Sequence, residues 1–310
     1  MQALVTGGAG FIGSNLVDAL LARGDSVTVL DDLSTGRAEN LESALSNGAE
    51  LAQLDVRDAE GVIDLFERVR PELVFHMAAQ IDVRRSAADP AFDARVNVEG
   101  TINVLEAARR SEVRRLVNTS TGGAIYGEGK ILPAPEDHPV APESPYGQSK
   151  FAAEGYCELF HRLHGMSTVS LRYGNVYGPR QDPLGEAGVI AIYCGKIQAG
   201  GGPPIIFGDG LQTRDYVFVG DVVDANLRVA ESNAGGAFNI GTGNEVTVLD
   251  IVEVLRTHAQ NGFEPEHAPE RPGEVRHIAL DCTRAQAELG WESRVDLSEG
   301  LERTLASLSG

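Results

Sequence analysis

Hydrophobic and polar positions in the first half of the chain form two alternating kinds of segment. Short runs rich in Val and Leu, typical of buried strands, are separated by longer stretches with the helical spacing of apolar residues. The pattern predicts strands over 3–6, 26–31, 50–55, 72–78, 115–120 and 167–173, and helices over 12–23, 58–69, 97–110 and 146–164. Strand and helix in alternation predict an α/β fold: a parallel, doubly wound Rossmann-type sheet with helices on both faces.

The texture of the sequence changes after about residue 174. Gly and Pro become frequent and the apolar runs become shorter, which indicates a smaller lobe. One strand–helix unit in this part, residues 214–231, resembles the units of the first half. We therefore expect two interleaved parts: residues 1–174 with about 214–242 in the first, and about 175–213 with 243–310 in a smaller C-terminal α/β lobe.

The net charge excludes some classes of partner. The 310 residues carry a formal charge of −19, whereas contacts to nucleic-acid phosphates or to an anionic membrane surface need a basic face. We expect neither partner, and an anionic ligand would need a local cluster of arginines. Cys157, Cys194 and Cys282 are far apart, so they predict neither a disulfide framework nor a metal site. With no apolar run of membrane-spanning length and no signal segment, we expect a cytoplasmic protein.

The segment TGGAGFIGS, residues 6–14, follows the first predicted strand and opens the first predicted helix. Its glycines Gly7, Gly10 and Gly13 permit a tight turn and bring backbone N–H groups close to a pyrophosphate. Asp31 ends the second strand, where a carboxylate accepts hydrogen bonds from a ribose and favours NAD over NADP. Arg37 lies nearby and is the residue that could instead receive a 2′-phosphate.

The segment SPYGQSK, residues 144–150, places Tyr146 and Lys150 four positions apart, on one face of a helix. The chain has only three lysines, so this pairing is informative. A phenol has an ordinary pKa near 10, too high for a base at neutral pH. An adjacent ammonium and a positive nicotinamide ring are expected to lower it, so that Tyr146 exchanges a proton with a sugar hydroxyl.

A third catalytic group is expected at the carboxyl end of the strand that enters NTSTGGAIYG, residues 118–127, since ligands bind at that edge of open α/β sheets. Its hydroxyl would orient the substrate oxygen. The candidates are Thr121, which we favour, and Ser120 as a second hydrogen-bonding hydroxyl.

Together with LRYGNVYGPRQ, residues 171–181, these motifs resemble the extended short-chain dehydrogenase/reductase family, and within it the UDP-glucose 4-epimerase (UDP-galactose 4-epimerase) branch. The resemblance covers essentially the whole chain. It implies a Rossmann domain that binds NAD and a lobe that binds a UDP-sugar. Further cofactor-binding positions implied by the family are Phe11, Ile12, Asp32, Asp55, Val56, Met77, Ala78, Ala79, Asn97 and Tyr173. Implied substrate positions, besides Thr121, are Asn175, Val189, Phe207, Arg214, Arg271 and Glu274.

Two positions depart from the branch. Epimerases of this group commonly carry the catalytic Ser or Thr four residues before the tyrosine of a VYG-like element, and Gly122 stands there. Counting from the strand instead selects Thr121 and implies one extra glycine. The second position, bulky and aromatic in strict UDP-glucose enzymes, matches Ile278, where a smaller side chain could admit an N-acetyl group.

The resemblance also covers other reactions. Nucleotide-sugar dehydratases carry an Asp-Glu pair just after the catalytic threonine, and UDP-glucuronate decarboxylases tend to carry a glutamate in that loop. Gly122 and Gly123 stand here and can transfer no proton, which favours 4-epimerisation of a UDP-hexose through a transient 4-keto sugar. The alternatives are a 4-epimerase of UDP-glucuronate or UDP-N-acetylhexosamine, a related decarboxylase, and a non-catalytic NAD-binding protein.

The resemblance further implies a homodimer. The family commonly pairs two helices of each subunit in a four-helix bundle, here matching about 92–110 and 145–164.

Overall fold

Thirteen strands and thirteen α-helices occur in the described part of the computed structural model, which comprises residues 1–183, 188–200, 204–258, 263–269 and 275–308. The strands are β1 Gln2–Thr6, β2 Ser26–Asp31, β3 Glu50–Gln53, β4 Leu73–His76, β5 Arg115–Thr121, β6 Thr168–Tyr173, β7 Asn175–Tyr177, β8 Ile205–Phe207, β9 Thr213–Arg214, β10 Tyr216–Phe218, β11 Gly236–Ile240, β12 Val246–Thr247 and β13 Glu266–Ala268. The helices are α1 Phe11–Ala22, α2 Glu42–Ser46, α3 Ala59–Val69, α4 Val83–Ala88, α5 Pro90–Ala94, α6 Gly100–Arg110, α7 Gly122–Ile125, α8 Pro145–His164, α9 Val189–Ala199, α10 Val219–Glu231, α11 Val248–His258, α12 Thr283–Leu289 and α13 Leu297–Ser307.

The central sheet has seven parallel strands in the order β11-β6-β5-β4-β1-β2-β3. The chain winds outward from β1 in one direction as far as β3 and then restarts at β4 on the other side of β1. The strand order therefore reverses between β1 and β4, where Thr6 pairs with His76. Loops that leave the two strands here diverge to opposite faces and open a crevice at the carboxyl edge, which is where such sheets bind ligands.

The second half of the chain returns to this sheet. Strand β11 pairs with β6, and α10 packs against α1. The remaining short strands form three two-stranded pairs: β7 with β10, β9 with β12, and β8 with β13. We propose the division predicted from the sequence, residues 1–174 with about 214–242 against about 175–213 with 243–310. The second part is called the substrate lobe below.

Apolar clusters cover both faces of the central sheet, as expected for strands buried on two sides. One cluster joins α1 and α10 to the sheet and includes Trp291, and another joins α3 and α6 to the opposite face and includes Phe66. A third cluster packs the substrate lobe, including Tyr177, against Phe218 of the first part. Among the described helices, none combines the length and the apolar composition that crossing a bilayer requires.

Some element boundaries differ from the sequence prediction. Strand β3 ends at Gln53 and β4 at His76, two residues earlier than predicted for each. The predicted helix over 97–110 begins as a π-helical turn, Arg95–Glu99, before α6. In each case the regular element ends or changes where the chain passes the carboxyl edge of the sheet, and π turns recur at functional sites.

Candidate active site

The start of α8 is determined by the segment SPYGQSK. The Ser144 hydroxyl accepts a hydrogen bond from the Gly147 N–H at 3.1 Å, and Pro145 takes the first helical position. Such a cap contributes about 1 kcal/mol, and proline suits this position because its missing N–H would have no helical partner. A Cβ on Gly147 would collide with the carbonyl oxygen of Ala124 in α7. Glycine thus lets the first turn of α8 approach the turn that follows Thr121.

This close approach brings Tyr146 and Thr121 together. Their side chains are hydrogen-bonded, and the Tyr146 side chain is half-buried. The Tyr146 backbone N–H also donates to the Ser86 hydroxyl of α4 at 3.2 Å. The phenol is therefore held at the carboxyl end of β5, in the position where a substrate hydroxyl could reach both groups.

Lys150 lies one turn further along α8 and is only 2% exposed. Burial lowers the pKa of its ammonium to about 8, opposed by the negative charges of Glu154 and Asp93. Burial also raises the pKa of Tyr146 to about 12, opposed by the hydrogen bond with Thr121. The groups of the protein alone thus hold the pKa of the Tyr146 phenol above its ordinary value. They do not produce the lower pKa that was predicted from the sequence.

The glycine turn after β1 fits a dinucleotide. Gly7 has φ +67°, and a Cβ there would lie 2.6 Å from the Ala78 backbone nitrogen, so only glycine lets the loops after β1 and β4 touch. A Cβ on Gly13 would collide with the Gly7 carbonyl oxygen. Gly10 caps α1, whose first N–H groups have no acceptor within the helix and point toward an incoming anion.

Carboxylates border the two ends of the predicted adenosine site. Asp31 is 5% exposed and accepts the N–H groups of Ala9 and Leu33, each at 2.9 Å. Burial raises the pKa of Asp31, opposed by these two hydrogen bonds. Asp55 binds Arg57 through both carboxylate oxygens.

Other predicted cofactor positions adjoin these carboxylates. Phe11 and Ile12 form the first turn of α1, Val56 is buried against Gly100, and Asp32 is exposed and accepts from Ser34. Arg37, the candidate partner for a 2′-phosphate, pairs with Asp182 at 2.5 Å.

Asn97, in the π turn, connects the loop after β4 to α8. Its amide donates to the Gln80 carbonyl at 2.9 Å and to the Ser149 hydroxyl at 3.0 Å, and its oxygen accepts the Gln80 N–H at 2.8 Å. Ser149 in turn donates to the Tyr146 carbonyl at 3.0 Å. The loop that includes Met77, Ala78 and Ala79 is thus joined by hydrogen bonds to the helix that carries the acid/base pair.

Asp93 is part of the same network and is 1% exposed. Its Oδ1 accepts from Gln80 at 2.9 Å and from Asn97 at 3.2 Å, whereas Oδ2 is buried without a partner among the described residues. Its charge raises the pKa values of both Tyr146 and Lys150. Sequence reasoning missed Asp93, although a carboxylate four residues before Asn97 was a usable signal.

His76 anchors the edge of the sheet beside this network. The Thr101 hydroxyl donates to the Asn97 carbonyl at 2.6 Å, so His76 Nε2, 3.0 Å away, must donate to Thr101. Nδ1 then accepts from the Thr6 hydroxyl at 2.7 Å, and Thr6 accepts the Ala78 N–H at 3.1 Å. Burial, aided by the charge of Lys150, lowers the pKa of His76 to about 3, so the ring is neutral.

Ser120 and Thr121 point to opposite faces of β5, as successive strand residues do. Ser120 is 2% exposed and its hydroxyl has no partner among the described residues, whereas Thr121 bonds Tyr146. Thr119 shares the face of Thr121 and contacts the Met77 sulfur at 2.8 Å and the Tyr173 hydroxyl. Thr119 was not predicted as a site residue, and the period of two along the strand was the signal that pointed to it.

The predicted substrate positions occupy the substrate lobe and its border. Val189 begins α9, Phe207 ends β8, and Arg214 ends β9 with its guanidinium donating to the Thr213 carbonyl at 2.7 Å. Asn175 begins β7, and a Cβ on Gly123 would lie 3.4 Å from its Oδ1. Arg271 and Glu274 lie outside the described residues. Ile278 is 1% exposed and packs in a cluster with Ile125, Tyr126, Ala134 and Leu280.

The fold and the site define a dinucleotide-dependent enzyme of the doubly wound α/β class. A family model described as the NAD dependent epimerase/dehydratase family matches residues 3–241, and the chain belongs to this family.

Relatives of known structure or activity match over nearly the whole chain. A UDP-glucose 4-epimerase from Mycolicibacterium smegmatis is 49% identical, with 98% of this chain and 97% of the relative covered. A crystal structure of the Thermotoga maritima UDP-glucose 4-epimerase with UDP-glucose has a TM-score of 0.95 and 46% identity, covering 99% and 98% of the two chains. The Thermus thermophilus UDP-glucose 4-epimerase in complex with NAD has a TM-score of 0.93 and 43% identity, covering 100% and 99%.

These matches confirm the predicted fold class, the NAD cofactor and the resemblance to UDP-glucose 4-epimerases. Proteins with other stated activities also match, at lower identity. They include a UDP-glucuronic acid decarboxylase from Arabidopsis thaliana at 32%, a UDP-N-acetylglucosamine 4-epimerase from Methanobrevibacter ruminantium at 31% and a UDP-glucuronic acid 4-epimerase from Bacillus cereus at 30%.

Proposed function

We propose that this chain is an NAD-dependent UDP-glucose 4-epimerase that interconverts UDP-galactose and UDP-glucose. The observation that carries the proposal is the hydrogen bond between Thr121 and Tyr146, directly before two glycines, Gly122 and Gly123, that can transfer no proton. A site with one proton-transferring phenol and no neighbouring carboxylate in this turn suits reversible oxidation of a hydroxyl. It does not suit elimination, which needs further acid and base groups.

The proposed chemistry assigns each of three side chains one task. Bound NAD supplies the hydride acceptor and donor. Tyr146 takes the proton of the sugar C4 hydroxyl and later returns one to the same oxygen, and Thr121 holds that oxygen in line with the phenol. The buried ammonium of Lys150 is assigned, together with the positive nicotinamide ring of bound NAD, to stabilising the phenolate, because positive charge favours the ionised form of a phenol.

Substrate binding is assigned to side chains around the border of the substrate lobe. We assign Arg214 and Asn175 to the diphosphate and Phe207 to the uracil, with Val189 as a further substrate contact. A guanidinium suits this task because its planar fork of donors matches phosphate oxygens. Arg271 and Glu274 remain proposed substrate residues on the sequence alone.

A second candidate is a 4-epimerase of UDP-glucuronate or UDP-N-acetylhexosamine, favoured by the matches to proteins with those stated activities. A decarboxylase is the weaker alternative, because the turn after Thr121 carries no carboxylate. The candidate substrates differ from UDP-galactose at C2 or C6 of the sugar. Turnover measured with each substrate therefore distinguishes the candidate functions.

The testing experiment follows purified, NAD-loaded protein with UDP-galactose by proton NMR, without added reductant. Conversion to UDP-glucose without net NADH formation supports the proposal. No conversion, with bound NAD measured, contradicts it. The same assay with UDP-glucuronate and UDP-N-acetylglucosamine then identifies which alternative replaces it.

We also propose that the enzyme is a cytoplasmic homodimer. Cys157 and Cys194 are buried free thiols and Cys282 is a partly buried one, as suits a reducing compartment. Helix α8 presents Phe151, 37% exposed, and the neighbouring Gly155 on its outer face, where a second copy of α6 and α8 could pack.

A further inference from the structure

Asp215 is a buried carboxylate that binds four donors from two distant segments of the chain. It is 1% exposed. Its Oδ1 accepts the Thr242 N–H at 2.6 Å and the Thr242 hydroxyl at 2.7 Å. Its Oδ2 accepts the Gly243 N–H at 3.0 Å and the Leu280 N–H at 3.1 Å. Each carboxylate oxygen of Asp215 therefore accepts two hydrogen bonds.

The backbone around Asp215 is equally close-packed. Its carbonyl oxygen accepts the Asn175 N–H at 2.6 Å. A Cβ on Gly174 would lie 2.6 Å from that carbonyl oxygen, and a Cβ on Gly241 would collide with Oδ2. Gly174 and Gly241 thus let the backbone segments on either side of Asp215 approach it closely.

The segments that meet at Asp215 reach two sides of the proposed substrate site. Arg214, the preceding residue, and Asn175 are the proposed diphosphate contacts. Leu280, on the other side, lies against Gly122, where a Cβ would be 2.6 Å from its methyl carbons. Gly122 follows Thr121, the proposed contact of the sugar hydroxyl. Asp215 is therefore the junction between the phosphate end and the sugar end of the site.

We propose that Asp215 is a positioning residue that fixes Arg214 and Asn175 relative to the Leu280 wall of the sugar site, without itself contacting the substrate. The inference rests on the proposed function for the identity of the ligand. A carboxylate is required because it offers acceptors only. An amide at this position would turn an NH₂ group toward N–H donors, leaving buried donors unpaired.

The test measures UDP binding to full-length, NAD-loaded protein by calorimetry, together with KM and kcat for UDP-galactose. In Asp215→Asn we expect UDP affinity to fall about tenfold and KM to rise by a similar factor, while bound NAD stays unchanged. A milder variant, Thr242→Val, removes the 2.7 Å hydroxyl bond to Asp215 and an exposed 3.2 Å bond that the hydroxyl accepts from the Asn244 N–H, and we expect about a threefold loss of UDP affinity.

Asp221→Asn is the matched control. Asp221 is 6% exposed and accepts the N–H groups of Arg294 and Val295 at 3.0 and 3.1 Å, neither of which is a proposed substrate residue. It should lower thermal stability as Asp215→Asn does but leave UDP affinity within about twofold.

Equal UDP affinities for Asp215→Asn and Asp221→Asn would overturn the inference. If Asp215→Asn does not fold, an unchanged affinity in Thr242→Val would overturn it. UDP is the probe, so a wild type that binds UDP but does not convert UDP-galactose contradicts the proposed function and leaves the Asp215 test valid.

Discussion

The side chain of Leu280 lies directly over Gly122, so that the substrate lobe fills the space where the turn after Thr121 would carry a side chain. A Cβ at position 122 would be 2.6 Å from both methyl carbons of Leu280 and 3.1 Å from its Cγ. An acidic side chain at this position, as the dehydratase resemblance would require, has no room while Leu280 is in place. The exclusion of a carboxylate from position 122 thus depends on two residues that are more than 150 positions apart in the chain.

We expect Gly122→Ala to destabilise the protein by about 1–3 kcal/mol through overpacking and to lower kcat by displacing Thr121. Thermal unfolding and the epimerase assay measure the two effects. Leu280→Ala is itself destabilising because Leu280 is fully buried, but in the double variant the total loss should be smaller than the sum of the two single losses, because the clashing methyl groups are gone. Gly123→Ala is the control, since its Cβ would meet only Asn175 Oδ1 at 3.4 Å. Losses that are additive in the double variant would show that the two residues do not interact.

Tyr146→Phe should reduce turnover by about 10²–10⁴-fold, because it removes the proposed proton acceptor and donor. Bound NAD, read from the absorbance of the released cofactor, should remain. Tyr156→Phe, a half-buried tyrosine of the same helix, is the control and should keep its activity. Activity of Tyr146→Phe within a few-fold of wild type would refute the acid/base role.

The charge of Asp93 should appear in the pH dependence of the reaction. It raises the pKa values of Tyr146 and Lys150, so Asp93→Asn lowers both. The limb of the kcat profile that reports deprotonation of Tyr146 should move to lower pH, while the charge of Glu154 still acts on Lys150. An unshifted profile would mean that Asp93 acts only through its hydrogen bonds to Asn97 and Gln80.

His76 should make the protein sensitive to acid. Its pKa is about 3 in the folded chain and 6.5 in the unfolded chain, so the unfolded chain binds one more proton between these pH values. The free energy of unfolding therefore falls as pH decreases from 6.5 toward 3, by about 1.4 kcal/mol per pH unit. Above pH 6.5 this effect is absent. Urea unfolding of wild type and His76→Gln across pH 4–6 should differ in slope by about one proton.

The proposed dimer predicts that Phe151→Glu yields a monomer in light scattering, because two charges would be buried against the partner helices. Leu163→Glu is the comparison, a residue that is 65% exposed near the end of α8. A monomeric wild type would refute the dimer outright.

The strands and helices of the Rossmann part could be predicted because each leaves a local signal in the sequence: a short Val- and Leu-rich run for a strand buried on both faces, or an apolar period of 3.6 for a helix. The glycine turn and the Tyr146–Lys150 spacing were visible for the same reason: the chemistry is local in sequence. Even the choice of Thr121 over Ser120 rested on counting along one strand.

Contacts between distant segments could not be predicted in the same way. Leu280 against Gly122, and Asp215 with its donors at Thr242 and Leu280, join residues whose order in the chain says nothing of their distance in space. The pKa of Tyr146 was predicted in the wrong direction for the protein groups alone. Burial of a whole side chain depends on the assembled fold, whereas the neighbouring lysine is visible in the sequence.

The hydrogen bonds of Asn97 link cofactor binding to the local stability of α8. Because Asn97 joins the loop after β4 to Ser149 in α8, ordering of that loop by a bound cofactor would also reduce local opening of the helix that carries Tyr146 and Lys150. Amide hydrogens in the first turns of α8 should then exchange more slowly in the loaded chain than in the empty one. Without the cofactor, the first turns of α8 would therefore open more often, and Tyr146 and Lys150 would be less well positioned for proton transfer. Cofactor binding would thus precede the ordering of the acid/base pair.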